Sequence, residues 1–161
     1  MTGKDTYGEL ESRFSLPAGF SITLECMKQD DHPFISGAAE AMMQDASYAE
    51  ILNHQAIGIG DCATSFVHDG IYIITDGGMV IASASRLKDA ETACWTVDLF
   101  KFRDVVKMSF ERVDGDKELG TLQIDCITED AKAVRHILRR MDVGHFRLLQ
   151  SLVDASRETM N

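Results

Sequence analysis

The sequence predicts an α+β domain: an antiparallel bent β-barrel or sandwich of about seven short strands, capped by a C-terminal helix, with extra helices at both termini. Three observations predict it. Asp-Gly pairs separate β-branched runs in the middle of the 161-residue chain, and glycine accepts the positive φ of a tight turn, so these runs fold back on one another. Apolar stripes at spacings of three and four occur before residue 54 and after residue 128. No helical pattern separates the central strands, which argues against βαβ units and a parallel sheet.

Residues 4–13, KDTYGELESR, read as a short polar helix ending before the Leu16-Pro17-Ala18-Gly19 turn signal. Phe20 to Cys26 alternates apolar and polar residues for seven positions, the mark of a half-buried strand. Asp31 or His32 then caps a helix with Pro33 in its first turn, where a missing N–H costs nothing. Ile35, Ala38, Met42, Ala46 and Ala49 carry that helix to about Asn53. After Ile57-Gly58-Ile59-Gly60 the pattern changes to strands. Ser65–His68, Ile71–Thr75 and Met79–Ala82 form a meander turned by Asp69-Gly70 and by Asp76-Gly77-Gly78.

A charged loop, 86–92, leads into a strand over Cys94–Leu99. Val105–Val113 is the next, and Asp114–Glu118 turns it back into Leu119–Ile127. Thr128 caps a helix over 129–141 with Glu129 and Asp130 in its first turn, where the helix dipole favours acids. Ala131, Val134, Ile137, Leu138 and Met141 are its apolar stripe. Gly144 interrupts, and His145 to about Glu158 forms a second helix burying Phe146, Leu149, Leu152 and Val153. The organisation is an N-terminal strand and helical extension (1–56), a barrel with its capping helix (57–143) and a last helix (144–161), together one compact unit.

Sixteen Lys and Arg against 26 Asp and Glu give a formal charge of −10. Such a field repels phosphate backbones, so no nucleic-acid partner is expected. The first twenty residues hold no continuous apolar core and no small-residue cleavage pattern, so they are not a secretory signal. No window approaches the roughly 20 apolar residues of a transmembrane helix. Four cysteines, spread far apart, read as reduced, mostly buried thiols of a cytoplasmic protein. The eight methionines read as core filling.

Phe66 to Met141 resembles the pleckstrin-homology-like superfamily, and most of all its bacterial PH and GRAM-type branch. Gly70-Ile71-Tyr72-Ile73-Ile74-Thr75-Asp76 is similar to the apolar–apolar–Thr-Asp second strand and turn typical there, with Val80-Ile81-Ala82 where the next strand follows. Val97-Asp98-Leu99 and Phe102–Met108 are similar to the stretch before that family's fifth strand. The resemblance implies that helix 129–141 plugs one end of a bent barrel. Gly77-Gly78 departs from the pattern, replacing the basic residue that commonly follows Thr-Asp and weakening any inherited anion site.

Candidate chemistry is sparse. Gly58-Ile59-Gly60-Asp61-Cys62-Ala63 spells G-x-G-x-x-A, but a dinucleotide loop must follow a strand and open a helix, and here that context is inverted. Asp114–Glu118 with Asp125 lacks the glycine and glutamate spacing of an EF-hand and reads as a hairpin turn. His32, His54, His68, His136 and His145 form no metal-ligand spacing with one another or with a Cys pair, so neither metal nor cofactor is expected. Cys62 with Asp61 and a distant His54 or His68 can be drawn as a thiolate site. The one polarised feature is a basic stripe: residues 131–147 hold Lys132, Arg135, Arg139, Arg140 and Arg147 against Asp142 alone. Residues 1–60 hold nine acids and three bases.

The expected role is therefore a non-enzymatic protein-interaction module, self-associating or binding a protein partner, with Lys132, Arg135, Arg139 and Arg140 as candidate contact residues. The first alternative is a peripheral membrane adaptor that binds anionic lipid through helix 129–141. The second is a small thiol enzyme using Cys62.

Overall fold

A computed structural model describes residues 10–14, 18–45, 48–85, 87, 94–112 and 118–159. The elements, in order, are α1 (Leu10–Arg13), β1 (Ala18–Gly19), α2 (Phe20–Lys28), α3 (Pro33–Gln44), α4 (Tyr48–Ile51), β2 (Gln55–Ala63), β3 (His68–Thr75), β4 (Gly78–Ser85) and β5 (Thr96–Lys101). A 3₁₀ turn (Phe102–Asp104), β6 (Val105–Arg112), β7 (Leu119–Ile127), β8 (Ala133–Asp142) and α5 (Val143–Thr159) complete the chain. Every strand pair is antiparallel. The order is β5-β4-β3-β2-β8-β7-β6, with β1 pairing on β2, so the expected antiparallel α+β architecture is present.

The sheet has two halves, β2–β5 and β6–β8, joined where Ala63 of β2 meets Arg139 of β8. Their inner faces enclose one core: Ile74, Met79 and Phe100 from the first half against Leu122, Ile124 and Leu138 from the second, with Leu149 and Val153 of α5 added. The outer face of the first half is also covered. Ile59, Ile71, Ile73, Val80 and Ala82 pack against Phe20, Leu24, Met27, Ile35, Ala38 and Met42 of α2 and α3. Strands buried on both faces need side chains that suit a core on both, which is why Ile71–Thr75 and Met79–Ala84 run without polar interruption apart from Thr75 and Ser83.

Several local expectations are corrected. The helix expected over 129–141 is strand β8, and the capping helix is α5, which follows it. Val134, His136 and Leu138 alternate inward as strand residues must. The register then slips between Gly120↔Met141 and Leu122↔Leu138, a bulge in which Arg140 takes φ 56°. The extra residue places buried Met141 three positions after Leu138 and so imitates helical spacing. Thr128 caps no helix: its hydroxyl and backbone close the β7–β8 turn on Lys132, with Ala131 at φ 61°.

Phe20–Cys26 is helix, not strand. Phe20, Thr23, Leu24 and Met27 are buried while Ile22 is 63% exposed, a helical stripe that the alternation in the sequence masks. The Ile57–Gly60 connector lies inside β2, and Ser65–Val67 is a turn instead of a strand. Asp69-Gly70 is no turn either. Gly70 sits within β3, where a Cβ would come 3.2 Å from the Ala82 carbonyl and 3.4 Å from Cys62 Sγ, so the glycine answers crowding between strands.

The hairpin at Asp76-Gly77 is as expected. Buried Thr75 closes it, donating its hydroxyl to Gly78 O at 2.8 Å and accepting from Gly78 N at 3.0 Å. His32 caps α3 by accepting from Phe34 N, but the helix ends at Gln44 and the chain resumes as α4 after two residues that are not described. Of the polar helix expected over 4–13, α1 is the described part. Most of the 86–92 loop and most of the 114–118 turn, with the calcium question attached to it, lie outside the described residues.

Candidate functional site

Strand β8 presents its odd-numbered residues outward as far as the bulge. Arg135, half-exposed Ile137 and Arg139 therefore share the solvent face, Arg140 joins them at the bulge, and Lys132 lies in the preceding turn. The four predicted contact residues thus lie along one strand and its leading turn, not on a helix.

Two of the arginines and the aromatic-facing third are already engaged. Arg135 stands opposite Asp125 in the β7–β8 register and donates Nε–H to its Oδ1 at 2.7 Å. That hydrogen bond, with the charge of Arg135 behind it and Lys107 on the other side, lowers the Asp125 carboxyl below its usual range and raises Arg135. Arg140 reaches Asp69 of β3 at 3.5 Å. Arg139 places its guanidinium carbon 4.8 Å over the ring of Phe66.

Phe66 is 82% exposed, and its turn is built to hold it there. Ser65 Oγ accepts from His68 N at 3.1 Å and Val67 N at 3.3 Å, and it lies 2.7 Å from His68 Nδ1. Ala63 pairs with both Asp69 and Arg139, so the strands supplying Phe66, Asp69 and Arg139 meet at one corner. His68 pairs with Ser85, which sets the turn beside the start of the β4–β5 connection, where Leu87 is 76% exposed.

Cys62 does not have the surroundings of a nucleophile. It is buried on the inner side of β2, and burial foremost, with Asp61 next, raises its thiol far above the usual value. The two histidines drawn toward it are engaged elsewhere, His54 with Asp76 at 2.6 Å and His68 with Ser65. Among the described residues no three His, Cys, Asp or Glu side chains come together as a metal cluster. Of the four free cysteines, Cys62 and Cys126 are buried and Cys26 and Cys94 exposed, which corrects the expectation that most are buried.

The G-x-G string has a structural use that its spelling did not reveal. A Cβ on Gly60 would collide with the Tyr72 hydroxyl, and one on Gly58 would come 3.4 Å from Glu11 Oε1 and from Leu148. The two glycines open a notch in β2 that holds a polar chain. Tyr72 OH lies 2.6 Å from His145 Nδ1, His145 Nε2 is hydrogen-bonded to Glu11, and Ile59 N donates to the same carboxylate at 3.3 Å. The imidazole tautomer protonated at Nε2 satisfies all three side chains. Burial raises the Tyr72 phenol well above its usual value. The chain ties α1 to the first turn of α5 through the middle of the sheet. Its members lie at positions 11, 72 and 145, too far apart for any sequence spacing to join them.

No family model matches the chain, and no curated protein matches it. Among solved structures, it is similar to a chain in the complex of PDZ-RhoGEF DH/PH domains with GTP-gamma-S activated RhoA, with TM-score 0.44 and 15% identity. The match covers 83% of this chain and 39% of that one, so the chain spans about two fifths of the length of the protein it matches. A likeness at that score decides neither fold nor role. Among the described residues, no helix is long and apolar enough to cross a membrane.

Proposed function

We propose that this chain is a non-enzymatic protein-interaction module with a PH-like barrel, binding a protein partner or a second copy of itself through the outward face of β8 and the adjoining β2–β3 turn. The barrel reading is supported by the strand order: four antiparallel strands, three more that rejoin the first, and a helix straight after the last. The observation that carries the binding reading is Phe66, largely exposed in the β2–β3 turn with the Arg139 guanidinium stacked on its ring. Aromatic and arginine side chains dominate the energetics of protein interfaces. Asp125 and Asp69 offset Arg135 and Arg140, so the face offers paired charges and hydrogen bonds more than a bare positive field. The buried, protonated Cys62 supports a role without catalysis. Four free thiols suit a reducing, cytoplasmic setting.

Sedimentation velocity over a wide concentration range, comparing the protein with its Phe66→Ser variant, tests the reading. Reversible association that the substitution abolishes without moving the denaturation midpoint supports it. A monomer at every concentration that binds anionic vesicles through Arg139 overturns it in favour of a second reading.

That second reading is a peripheral membrane adaptor, favoured by the exposure of both Phe66 and Leu87 at one end of the barrel, beside Arg139 and Arg140. Co-sedimentation with phosphatidylserine vesicles, with and without the pair Arg135→Glu and Arg139→Glu, decides it. Equal binding by both proteins, or none by either, removes the membrane.

A further inference from the structure

A second surface lies at the edge of the first half-sheet. Among the described residues β5 pairs with β4 and with no strand on its other side. Alternate backbone N–H and C=O groups along Thr96–Lys101 therefore face outward with no strand partner among the described residues, a template for another strand. Beside this edge, α3 and the start of β5 enclose a groove of about 690 Å³. Trp95 and Val97 line its sheet side, Asp31, Glu40 and Asp45 line it too, and among the described residues none that lines it is basic.

Trp95 is the only tryptophan of the chain, and it is held in place. Its ring lies 4.9 Å from that of Phe34, and a Cβ on Gly37 would come 2.9 Å from the indole. Glycine inside a helix is less favourable than alanine, and here it clears the seat for a half-exposed aromatic platform. An edge strand, a rigid aromatic and the carboxylates of Asp31 and Glu40 on one groove together specify the chemistry of an occupant. Strand pairing supplies affinity, alternate side chains meet the groove, and those side chains must be cationic to face the acids and stack on the indole. The net charge of −10 strengthens that sign.

We propose that this groove binds an extended, basic segment of a partner protein by strand addition to β5, with alternate Lys or Arg side chains directed at Asp31, Glu40 and Trp95. The proposal stands independently of the β8 face.

An acetylated, amidated peptide of alternating Lys and Val tests it, read by Trp95 fluorescence and by amide hydrogen exchange. Saturable change in the emission, with slowed exchange over Thr96–Lys101, is expected. The pair Asp31→Lys and Glu40→Lys weakens binding by about tenfold or more. N-methylation of alternate peptide nitrogens, which blocks strand pairing without touching the protein, abolishes it. Failure of the Lys-Val peptide to bind overturns the proposal, as does binding that survives N-methylation or equal binding of a Glu-Val peptide. A dimer that the same two substitutions disperse also overturns it, because a second copy would then fill the groove.

Discussion

The two halves of the sheet solve different problems. The first half is covered on both sides along β3 and β4, by the inner core and by α2 and α3, whereas among the described residues β6–β8 is covered on its inner side alone. In the first half, polar side chains are confined to positions that can satisfy them, as Thr75 does by closing a turn. In the second half the alternation leaves an outward row for each inward one. Lys107, Asp125 and Arg135 are in register across three strands, as are Ser109, Gln123 and Ile137. Burial on two faces removes the freedom to carry charge, and the charged groups collect where only one face is covered. The corner joining the halves has both properties, which is why the bulge at Arg140 and the Phe66 turn occur there.

That contrast can be broken by experiment. The largest effect is expected from Ile73→Ala, which empties a site fully buried between sheet and helices and costs about 2–5 kcal/mol in urea denaturation. Ile137→Ala on the open face costs no more than about 0.5 kcal/mol. Similar values for the two would show that the helical layer does not seal the first half. Tyr72→Phe removes the partner of His145 inside the sheet and lowers stability by about 1–3 kcal/mol. No loss on that substitution would mean the Glu11–His145–Tyr72 chain bears no load.

A gain is expected from Thr23→Val. Among the described residues, Thr23 Oγ1 is a buried polar atom without a hydrogen-bond partner, so the nearly isosteric valine raises stability by about 1 kcal/mol. A smaller, pH-dependent effect belongs to the second half. His136 lies 5.1 Å from the Phe100 ring, and burial lowers its pKa from the ordinary 6.5, with Asp98 opposing. The unfolded chain therefore takes up the proton first as pH falls. Stability drops below about pH 6.5 and levels off below the folded pKa, and His136→Gln flattens that part of the curve. Asp125 has the usual sign for a paired acid. Its carboxyl is lowered, so its contribution is present above the ordinary carboxylate pKa and is lost as pH falls through the folded value. Asp125→Asn lowers the midpoint slightly at neutral pH and reduces its fall in acid by the same small amount.

Legibility followed the range of the forces. The Asp76-Gly77 turn, the strands β6 and β7 and the helix after Asp142 are visible in sequence because turn geometry and side-chain period are local. The 129–141 segment imitates a helix because one inserted bulge residue converts a period of two into an apparent three, and nothing nearby in sequence announces a bulge. Phe20–Cys26 is ambiguous in sequence because its alternation suits a strand and its Phe20–Leu24–Met27 spacing suits a helix, and the packing partner decides between them. Lys132, Arg135, Arg139 and Arg140 stand out as one basic group in the sequence, but a helical reading gives no way to assign the charges of Asp69 and Asp125 to them.

By itself the sequence determined the class of the protein: a meander of antiparallel strands with helices before and after, an acidic body and one basic stretch. These follow from backbone preferences and from the period of apolar residues, which act over a few positions. Tertiary structure alone decided that the first half-sheet is sealed on both faces, that Gly58 and Gly60 make room for a chain from Glu11 to Tyr72, and that Asp125 and Asp69 offset the arginines. Each of these depends on groups brought together from distant parts of the chain, and contact energy is set by distance in space, which a linear order does not contain.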